Sequence, residues 1–336
     1  MAALLNTVFY RRLVALTVFG VSIGLHTVSS PAAETLRLAH ASSSDSLINQ
    51  AVVRFAAEVK QKSNGALVIQ IFPDGQLGDE GAIAESTGSG AITIGLGGVV
   101  DAIDPRLNAV SLPFLFKDAD TVHRFLDSAA GKKFLSLGEA RGYVMLSALD
   151  SGFRQFANNQ RAIVEPTDLS GLKIRTPPNP VILATIKQMG GLPQSIPFGE
   201  VYTSLQSGVV DGVEPELRDF SDQRWYEVIK HVSVANYIWS ANYWYMNKAA
   251  YDALSPANQQ VLQTAVMDTT IWYRSQLEQV YSQLTKQLKA KNVVFNDVDR
   301  AAFLAKVGPV YEQFSKAWGT GFIKQLRSDV DAESSR

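Results

Sequence analysis

Short apolar segments alternate with helical patterns along the chain, and this alternation most constrains how the chain can fold. Strand-like runs rich in Leu, Val and Ile occupy 35–40, 66–72 and 91–95. Between these runs, Asp45 opens a helical stretch and a second helical stretch covers 79–89. Strands that alternate with helices are typical of a parallel sheet with helices on its faces. This part of the chain therefore predicts an α/β fold.

The same alternation returns in a weaker form after Arg141. The predicted elements are strands at 143–149, 154–157, 172–174 and 194–197 and helices at 179–189 and 200–207. A second run of alternating strands and helices indicates a second α/β lobe, with a boundary near 150–155.

Long helical patterns fill the C-terminal part of the chain. Ser255-Pro256 forms a helix start, and few helix-breaking residues follow before about residue 291. A further helix is predicted over 297–324. Helices of this length can brace two lobes or form a dimer interface, and their amphipathic pattern fits both.

Residues 1–33 differ in composition from the rest of the chain. Arg11 and Arg12 precede an apolar run over 13–25, and small residues end the segment at Ala33. These features indicate a secretory signal peptide, with twin-arginine export as an alternative to the general route. The apolar run is shorter than the roughly 20 residues that a membrane span needs. We therefore expect a mature chain in the periplasm that does not span the membrane.

The charge balance and the cysteine content exclude several functions. The chain has 31 Lys plus Arg and 32 Asp plus Glu; without two bases in 1–33 the mature chain has 29 against 32, a net charge of −3. This balance argues against a nucleic-acid partner. Cysteine is absent, which excludes disulfides and thiolate metal sites. Because His40, His123 and His231 lie at no metal-ligand or general-base spacing, we expect no metal, no cofactor and no catalytic residue.

One arginine is placed where it can bind an anion. In Gly171-Leu-Lys-Ile-Arg175-Thr-Pro-Pro, Arg175 ends a short apolar strand and precedes a proline-stiffened turn. An arginine in that position can project into a cleft, and its planar fork of donors suits a carboxylate bound through two hydrogen bonds. The sequence therefore predicts binding of an organic acid.

A set of ordered motifs extends this prediction over nearly the whole mature chain. They are Phe72-Pro-Asp-Gly-Gln-Leu-Gly78, Leu112-Pro-Phe114, Gly152-Phe-Arg154, Gly171-Leu-Lys-Ile-Arg-Thr-Pro177, Gly191-Leu-Pro193, Phe198-Gly-Glu-Val-Tyr202, Leu205-Gln206, Asp211-Gly212 and Tyr226-Glu-Val228. Together they resemble the solute-binding subunits of tripartite ATP-independent periplasmic (TRAP) transporters, of the dicarboxylate-binding, DctP-like type.

The resemblance implies a fold and a mode of action. The expected fold is the two-lobed periplasmic binding protein fold, in which each lobe is a β-sheet flanked by helices. Lobe I would comprise 34–151 with about 240–279, and lobe II 152–239 with about 280–336. The lobes would close on an organic acid in the cleft between them and deliver it to TRAP membrane subunits, a permease driven by an ion gradient, without catalysis or ATP.

The resemblance also implies a set of ligand-binding residues. Arg175 would be the principal carboxylate-binding residue, Arg154 a second one, and Phe198 would pack against the ligand. The remaining wall would consist of Ala41, Glu80, Leu96, Glu214 and Pro215.

The composition of that wall bears on the ligand. Family members that bind sialic acid have polar side chains where this chain has Ala41, Leu96 and Pro215, so a smaller or less hydroxylated acid is expected, either a monocarboxylate or a dicarboxylate. Glu214 and Glu216 are candidates to receive hydroxyls or a cationic group.

Two other functions share part of this pattern. A periplasmic sensor partner would present the same closed form to a membrane receptor and would differ only in its outer surface. An enzyme that acts on organic acids would need a general base or a metal, for which the candidates are Glu80, Asp211, Glu214 and the scattered histidines.

Overall fold

The computed structural model describes residues 33–335; the predicted signal peptide, apart from Ala33, lies outside the described residues. The strands are β1 (Glu34–His40), β2 (Leu67–Phe72), β3 (Ile94–Gly97), β4 (Tyr143–Phe153), β5 (Phe156–Asn158), β6 (Lys173–Thr176), β7 (Leu192–Ser195), β8 (Gly212–Val213), β9 (His231–Val234), β10 (Trp239–Asn247) and β11 (Val294–Asp297). The helices are α1 (Leu47–Lys62), α2 (Glu80–Gly88), α3 (Ala119–Asp127), α4 (Ala129–Leu135), α5 (Pro180–Gln188), α6 (Val201–Gln206), α7 (Leu217–Asp222), α8 (Lys248–Ala253), α9 (Pro256–Ala290), α10 (Arg300–Leu304), α11 (Gly308–Trp318) and α12 (Thr320–Ser334).

The first sheet contains five strands in the order β2-β1-β3-β10-β4. β1 is parallel to both β2 and β3, whereas β10 is antiparallel to β3 and β4. Because parallel strands end at the same edge of a sheet, the segments that follow β1, β2 and β3 all begin at that edge. This edge supplies one side of the site described below.

The second sheet contains six strands in the order β11-β9-β5-β8-β6-β7. β6 is parallel to β7 and to β8, so Arg175 lies opposite Gln194 on one side and Val213 on the other. The carboxyl ends of these three strands meet at one edge, the position where open α/β sheets bind ligands.

Helix starts follow ordinary capping chemistry. The sequence pattern placed the start of the first helix at Asp45, but Ser46 is the N-cap, with its hydroxyl accepting a hydrogen bond from the Asn49 amide at 3.2 Å. Asp79 caps α2 in the same way through Ala82, as the predicted stretch at 79–89 implies. Serine and aspartate are preferred caps because each satisfies an amide that the helix leaves free.

The long helix α9 contributes side chains to both hydrophobic cores. Its first half packs with α1, where Leu262 and Tyr273 join Phe55 in the core of the first sheet. Leu284 and Leu288, near its other end, lie in the core beneath the second sheet. The predicted helix from Pro256 to about 291 is confirmed.

The predicted helix over 297–324 is wrong. The chain there forms the end of β11 and then α10, α11 and the first part of α12. Pro309 lacks an amide hydrogen and lies in the first turn of α11, which favours a new helix start at that point. Gly319, with φ +96°, separates α11 from α12.

The chain passes between the two sheets at 153–156 and again at 234–239. One side chain links these two crossings. The Gln155 amide donates to the Phe153 carbonyl at 2.8 Å and to Asn236 Oδ1 at 2.6 Å, and its oxygen accepts from the Ala235 amide at 2.8 Å. The division of the chain into two closing lobes at these crossings stays a prediction.

Within residues 33–335, no helix is both long and apolar enough to cross a bilayer.

Gly152 at the first crossing gives a test of this packing. A Cβ there would lie 2.1 Å from the hydroxyl oxygen of Tyr281, which donates to the Ser151 carbonyl, and the backbone has φ +99°. Gly142 has φ +83° and open space around its Cβ position. We expect Gly142→Ala to cost about 1 kcal/mol of unfolding free energy from backbone strain alone. Gly152→Ala adds a steric clash and is expected to cost at least about 2 kcal/mol more.

The measurement is urea unfolding of both variants, followed by tryptophan fluorescence. Equal losses at the two positions would contradict the close approach of Tyr281 to Gly152.

Candidate functional site

A cavity is lined by residues from both sheets. The first sheet supplies segments that follow its parallel strands, including Ser42, Glu80 and Gly98. The second supplies Arg175 on β6 and Phe198 after β7. A concave space that combines an apolar wall with a few polar groups is typical of a site for a small molecule.

Arg175 is buried at the cavity and held by a single backbone group. Arg175 is 2% exposed, and its Nε and Nη2 both donate to the carbonyl oxygen of Ile196, at 3.0 and 2.9 Å. These two bonds fix the plane of the guanidinium. Within residues 33–335, no carboxylate oxygen lies within 4 Å of it. Arg175 is therefore a fixed, buried cation without an anionic partner of its own.

The surroundings of Arg175 favour an added negative charge. Burial, and second the Arg154 cation, lower its pKa to about 10. The carboxylates of Glu214, Glu80 and Glu216 offset part of this lowering. A guanidinium with that pKa is still protonated at neutral pH. An anion beside it would replace the hydration that burial has removed.

Arg154 is equally buried but is paired with carboxylates of the protein. Its Nη1 donates to Glu216 Oε1 at 2.7 Å and to the Ser240 hydroxyl at 2.8 Å. Its Nε donates to the Glu214 carboxylate and, at 2.9 Å, to the Glu214 carbonyl. Burial on its own lowers the pKa of Arg154, but Glu214 and then Glu216 raise it above the ordinary arginine value. The charge of Arg154 is thus compensated within the protein.

Glu214 lies behind Arg154. It is fully buried, and its Oε2 accepts from the Tyr237 hydroxyl at 2.7 Å in addition to Arg154. Burial raises the pKa of Glu214, although Arg154 lowers it. Its main structural effect is to hold Arg154 and Tyr237 in place.

Phe198 and Glu80 both line the cavity. The Phe198 ring lies with its centroid 5.6 Å from that of Trp225, at an angle of 60°, and the two rings form an apolar wall. Glu80, the first residue of α2, accepts from the Gly98 amide at 3.2 Å, and burial raises its pKa. An apolar wall next to polar groups suits a ligand with a carbon skeleton and polar substituents.

The other predicted residues lie close to the cavity without lining it. Leu96 is 1% exposed and packs in the core of the first sheet beside Trp244. Ala41 precedes Ser42, which does line the cavity, and Pro215 is buried with its carbonyl accepting from the Gln155 amide at 2.9 Å. Direct ligand contact by Ala41, Leu96 and Pro215 stays a prediction.

A comparison with protein families identifies the chain. The family model of bacterial extracellular solute-binding proteins, family 7 (DctP), matches residues 38–317. The chain belongs to this family. It is also 32% identical over 303 residues to a solute-binding protein of Verminephrobacter eiseniae (strain EF01-2), a match that covers 89% of this chain and 90% of the relative.

Two further similarities concern proteins with named ligands. The 2,3-diketo-L-gulonate-binding periplasmic protein of Escherichia coli (strain K12) is 29% identical over 300 residues, covering 88% of this chain and 92% of the relative. A crystal structure of a TRAP periplasmic solute-binding protein from Polaromonas sp. JS666, bound to D-erythronate, matches with a TM-score of 0.83. That match has 29% identity and covers 87% of this chain and 98% of the other. The predicted fold class and the resemblance to TRAP solute-binding proteins are confirmed.

In this solute-binding protein the cavity has polar lining residues that the sequence did not point to. Asn179 caps α5 through Val181 at 2.9 Å and also donates to the Ser111 hydroxyl at 3.3 Å. Four consecutive residues of β10, Ser240 to Tyr243, line the cavity, and the register of β10 against β4 shifts between Ser240 and Ala241. The Pro-Asn-Pro sequence around Asn179 indicates the N-cap of α5. No sequence pattern indicates the register shift in β10.

The two cavity arginines should differ in what they contribute to stability. Arg154→Met leaves Glu214 and Glu216 buried without a cation, which is expected to cost about 3–5 kcal/mol of unfolding free energy. Arg175→Met removes a buried cation that has no carboxylate partner together with its two hydrogen bonds to Ile196. Because relief of the buried charge offsets the lost hydrogen bonds, we expect a change within about 1 kcal/mol.

Urea unfolding of the ligand-free protein, prepared by refolding from denaturant, measures both changes. A loss from Arg175→Met as large as that from Arg154→Met would contradict the unpaired state of Arg175.

Proposed function

We propose that this solute-binding protein captures an organic acid in the cavity between its two sheets and delivers it to the membrane subunits of a TRAP transporter. Arg175 binds the carboxylate of the ligand, Arg154 supports that binding, and Phe198 packs against the carbon skeleton. The protein works in the periplasm after its signal peptide is removed. The names of the Escherichia coli relative and of the Polaromonas structure, both of which bind an acid, support an acid as the ligand.

The state of Arg175 is the observation that carries this proposal. It lines the cavity, it is 2% exposed, and within residues 33–335 it has no carboxylate within 4 Å. A buried cation without a partner is costly, and it is retained where an anion completes the pair. A ligand carboxylate satisfies this condition.

The energetics of such a pair are sufficient for capture. Two opposite charges at about 4 Å attract by about 4 kcal/mol at an effective dielectric constant of about 20. A micromolar dissociation constant corresponds to about −8 kcal/mol. The fold has already desolvated Arg175 and fixed its orientation. The main remaining free-energy cost of binding is therefore the desolvation of the ligand.

Binding at this position also provides a signal for delivery. The cavity takes lining residues from both sheets, for example Glu80 from the first and Arg175 from the second. A ligand that contacts both sides binds the closed arrangement better than an open one and shifts the population towards it. The membrane subunits then recognise the closed form.

Capture without chemistry agrees with the roles of the cavity acids. Glu216 is engaged by Arg154 at 2.7 Å and Asp219 by Arg218 at 2.8 Å. A general base needs a free oxygen towards the substrate and an orienting partner. Each of these two carboxylates instead binds a buried cation through one oxygen, which leaves its second oxygen as an acceptor for a ligand hydroxyl.

Substitution of Arg175 tests the proposal. We expect Arg175→Ala, and also Arg175→Lys, to weaken acid binding by more than about ten-fold, because lysine cannot form the two parallel hydrogen bonds of the guanidinium. The ligand is first found by a thermal-shift screen of hydroxy acids, sugar acids and dicarboxylates, and its affinity is then measured by titration calorimetry.

Arg161→Lys is the matched control. Arg161 is exposed and, like Arg175, its Nε and Nη2 donate to backbone carbonyls, those of Asp168 and Ser170, but it lies outside the cavity lining. Unchanged affinity in folded Arg175→Ala, or an equal loss in Arg161→Lys, would refute the role of Arg175.

A further inference from the structure

The pairing of the buried cations limits how many carboxylates a ligand can carry. Arg154 is bound to two glutamates, and Arg218, which is 1% exposed, pairs through Nη2 with Asp219 Oδ1 at 2.8 Å. Arg175 is the one guanidinium lining the cavity that has no carboxylate within 4 Å in residues 33–335. The site therefore offers one free positive charge.

Acidic side chains also surround the cavity. Glu80, Glu216 and Asp219 line it, and Glu214 is bound to Arg154. Glu214 and Glu216 are paired with Arg154, and Asp219 is paired with Arg218. In the described part of the chain Glu80 has no cation within 4 Å, and its carboxylate accepts from the Gly98 amide.

A second carboxylate on the ligand would lie close to these acids. It would find no unpaired guanidinium in the cavity lining of the described residues, and it would be desolvated beside acidic side chains. Placing like charges together in a buried interface is unfavourable, because little water is left to screen them. A hydroxyl in the same position donates a hydrogen bond, and a carboxylate is a strong acceptor for it.

We infer that the cavity selects acids with a single carboxylate, bound at Arg175, whose hydroxyl groups donate to the carboxylates of Glu80, Glu216 and Asp219, and that it excludes dicarboxylates. This inference rests on the proposed function, since it defines the class of acid that the site captures. It also assigns a specificity role to Glu216 and Asp219, whose side chains line the cavity beside Arg154 and Arg218.

Matched pairs of acids test the selection. D-erythronate and tartrate share a four-carbon skeleton, and D-gluconate and D-glucarate share a six-carbon skeleton; the second member of each pair carries the additional carboxylate. Titration calorimetry of the full mature chain is expected to show at least one of the monocarboxylates binding about 100-fold or more tightly than its dicarboxylate partner.

The outcomes separate this inference from the proposed function. A dicarboxylate that binds as tightly as its partner, with binding lost in Arg175→Ala, would overturn the selection and leave capture of an acid by Arg175 intact. Absence of binding by all four acids at millimolar concentration would count against the proposed function and remove this inference with it.

Removing the charge of one acid that lines the cavity should weaken the preference for monocarboxylates over dicarboxylates. In Glu80→Gln the amide oxygen can still accept from Gly98, but the negative charge is gone, so the affinity ratio of monocarboxylate to dicarboxylate should fall about ten-fold or more. Glu85→Gln, on the exposed side of the same helix, is the control and should keep the ratio of the unmodified protein.

A second variant covers the case in which Glu80→Gln fails to fold. Glu216→Gln leaves Arg154 paired with Glu214, and it should lower the ratio in the same direction. Circular dichroism confirms that each variant is folded. An unchanged ratio in the folded variants would overturn the role of the acidic wall.

Discussion

The two hydrogen bonds from Arg175 to the Ile196 carbonyl are the contact on which the geometry of the site depends. They form because β6 and β7 run parallel, so that the residue after β7 reaches the edge where Arg175 lies next to the end of its strand. The carbonyl orients the guanidinium but does not neutralise its charge. Arg175 is 2% exposed, so the surrounding structure keeps this cation away from bulk water, and Pro177, which follows β6, lines the same cavity.

The charge pairs of Arg154 lie at the point where the chain crosses between the sheets. Its amide donates to the Ile238 carbonyl at 2.8 Å, and its side chain binds Glu216 and Ser240, so one residue ties the outgoing crossing, the returning crossing and the loop after β8. Gln155 adds a second link between the same two crossings. The cavity that Arg154 lines therefore lies beside two of the segments that connect the two sheets.

Local chemistry explains what the sequence could predict. Parallel strands with apolar alternation, the capped starts of α2 and α9 and the strand-end position of Arg175 all depend on neighbours in sequence, and each agrees with the structure. The pairing of Arg154 with Glu214 and Glu216 depends on residues about sixty positions away, and no local pattern encodes it. The prediction of one helix over 297–324 was wrong for another reason. The helical periodicity of the sequence continues across Pro309 and Gly319, where the backbone cannot continue one helix.

The contrast between the two arginines connects stability with capture. Arg154 stabilises the fold whether or not a ligand is present, because its anionic partners belong to the protein. The fold desolvates the charge of Arg175 but does not neutralise it. The ligand-free protein therefore holds this cation at a cost to its folding stability. Under the proposed function, an acid that pairs with Arg175 removes this cost, and its binding energy then appears both as affinity and as added stability of the protein. A site in which every arginine was already paired would be more stable when empty and would have less to gain from its ligand.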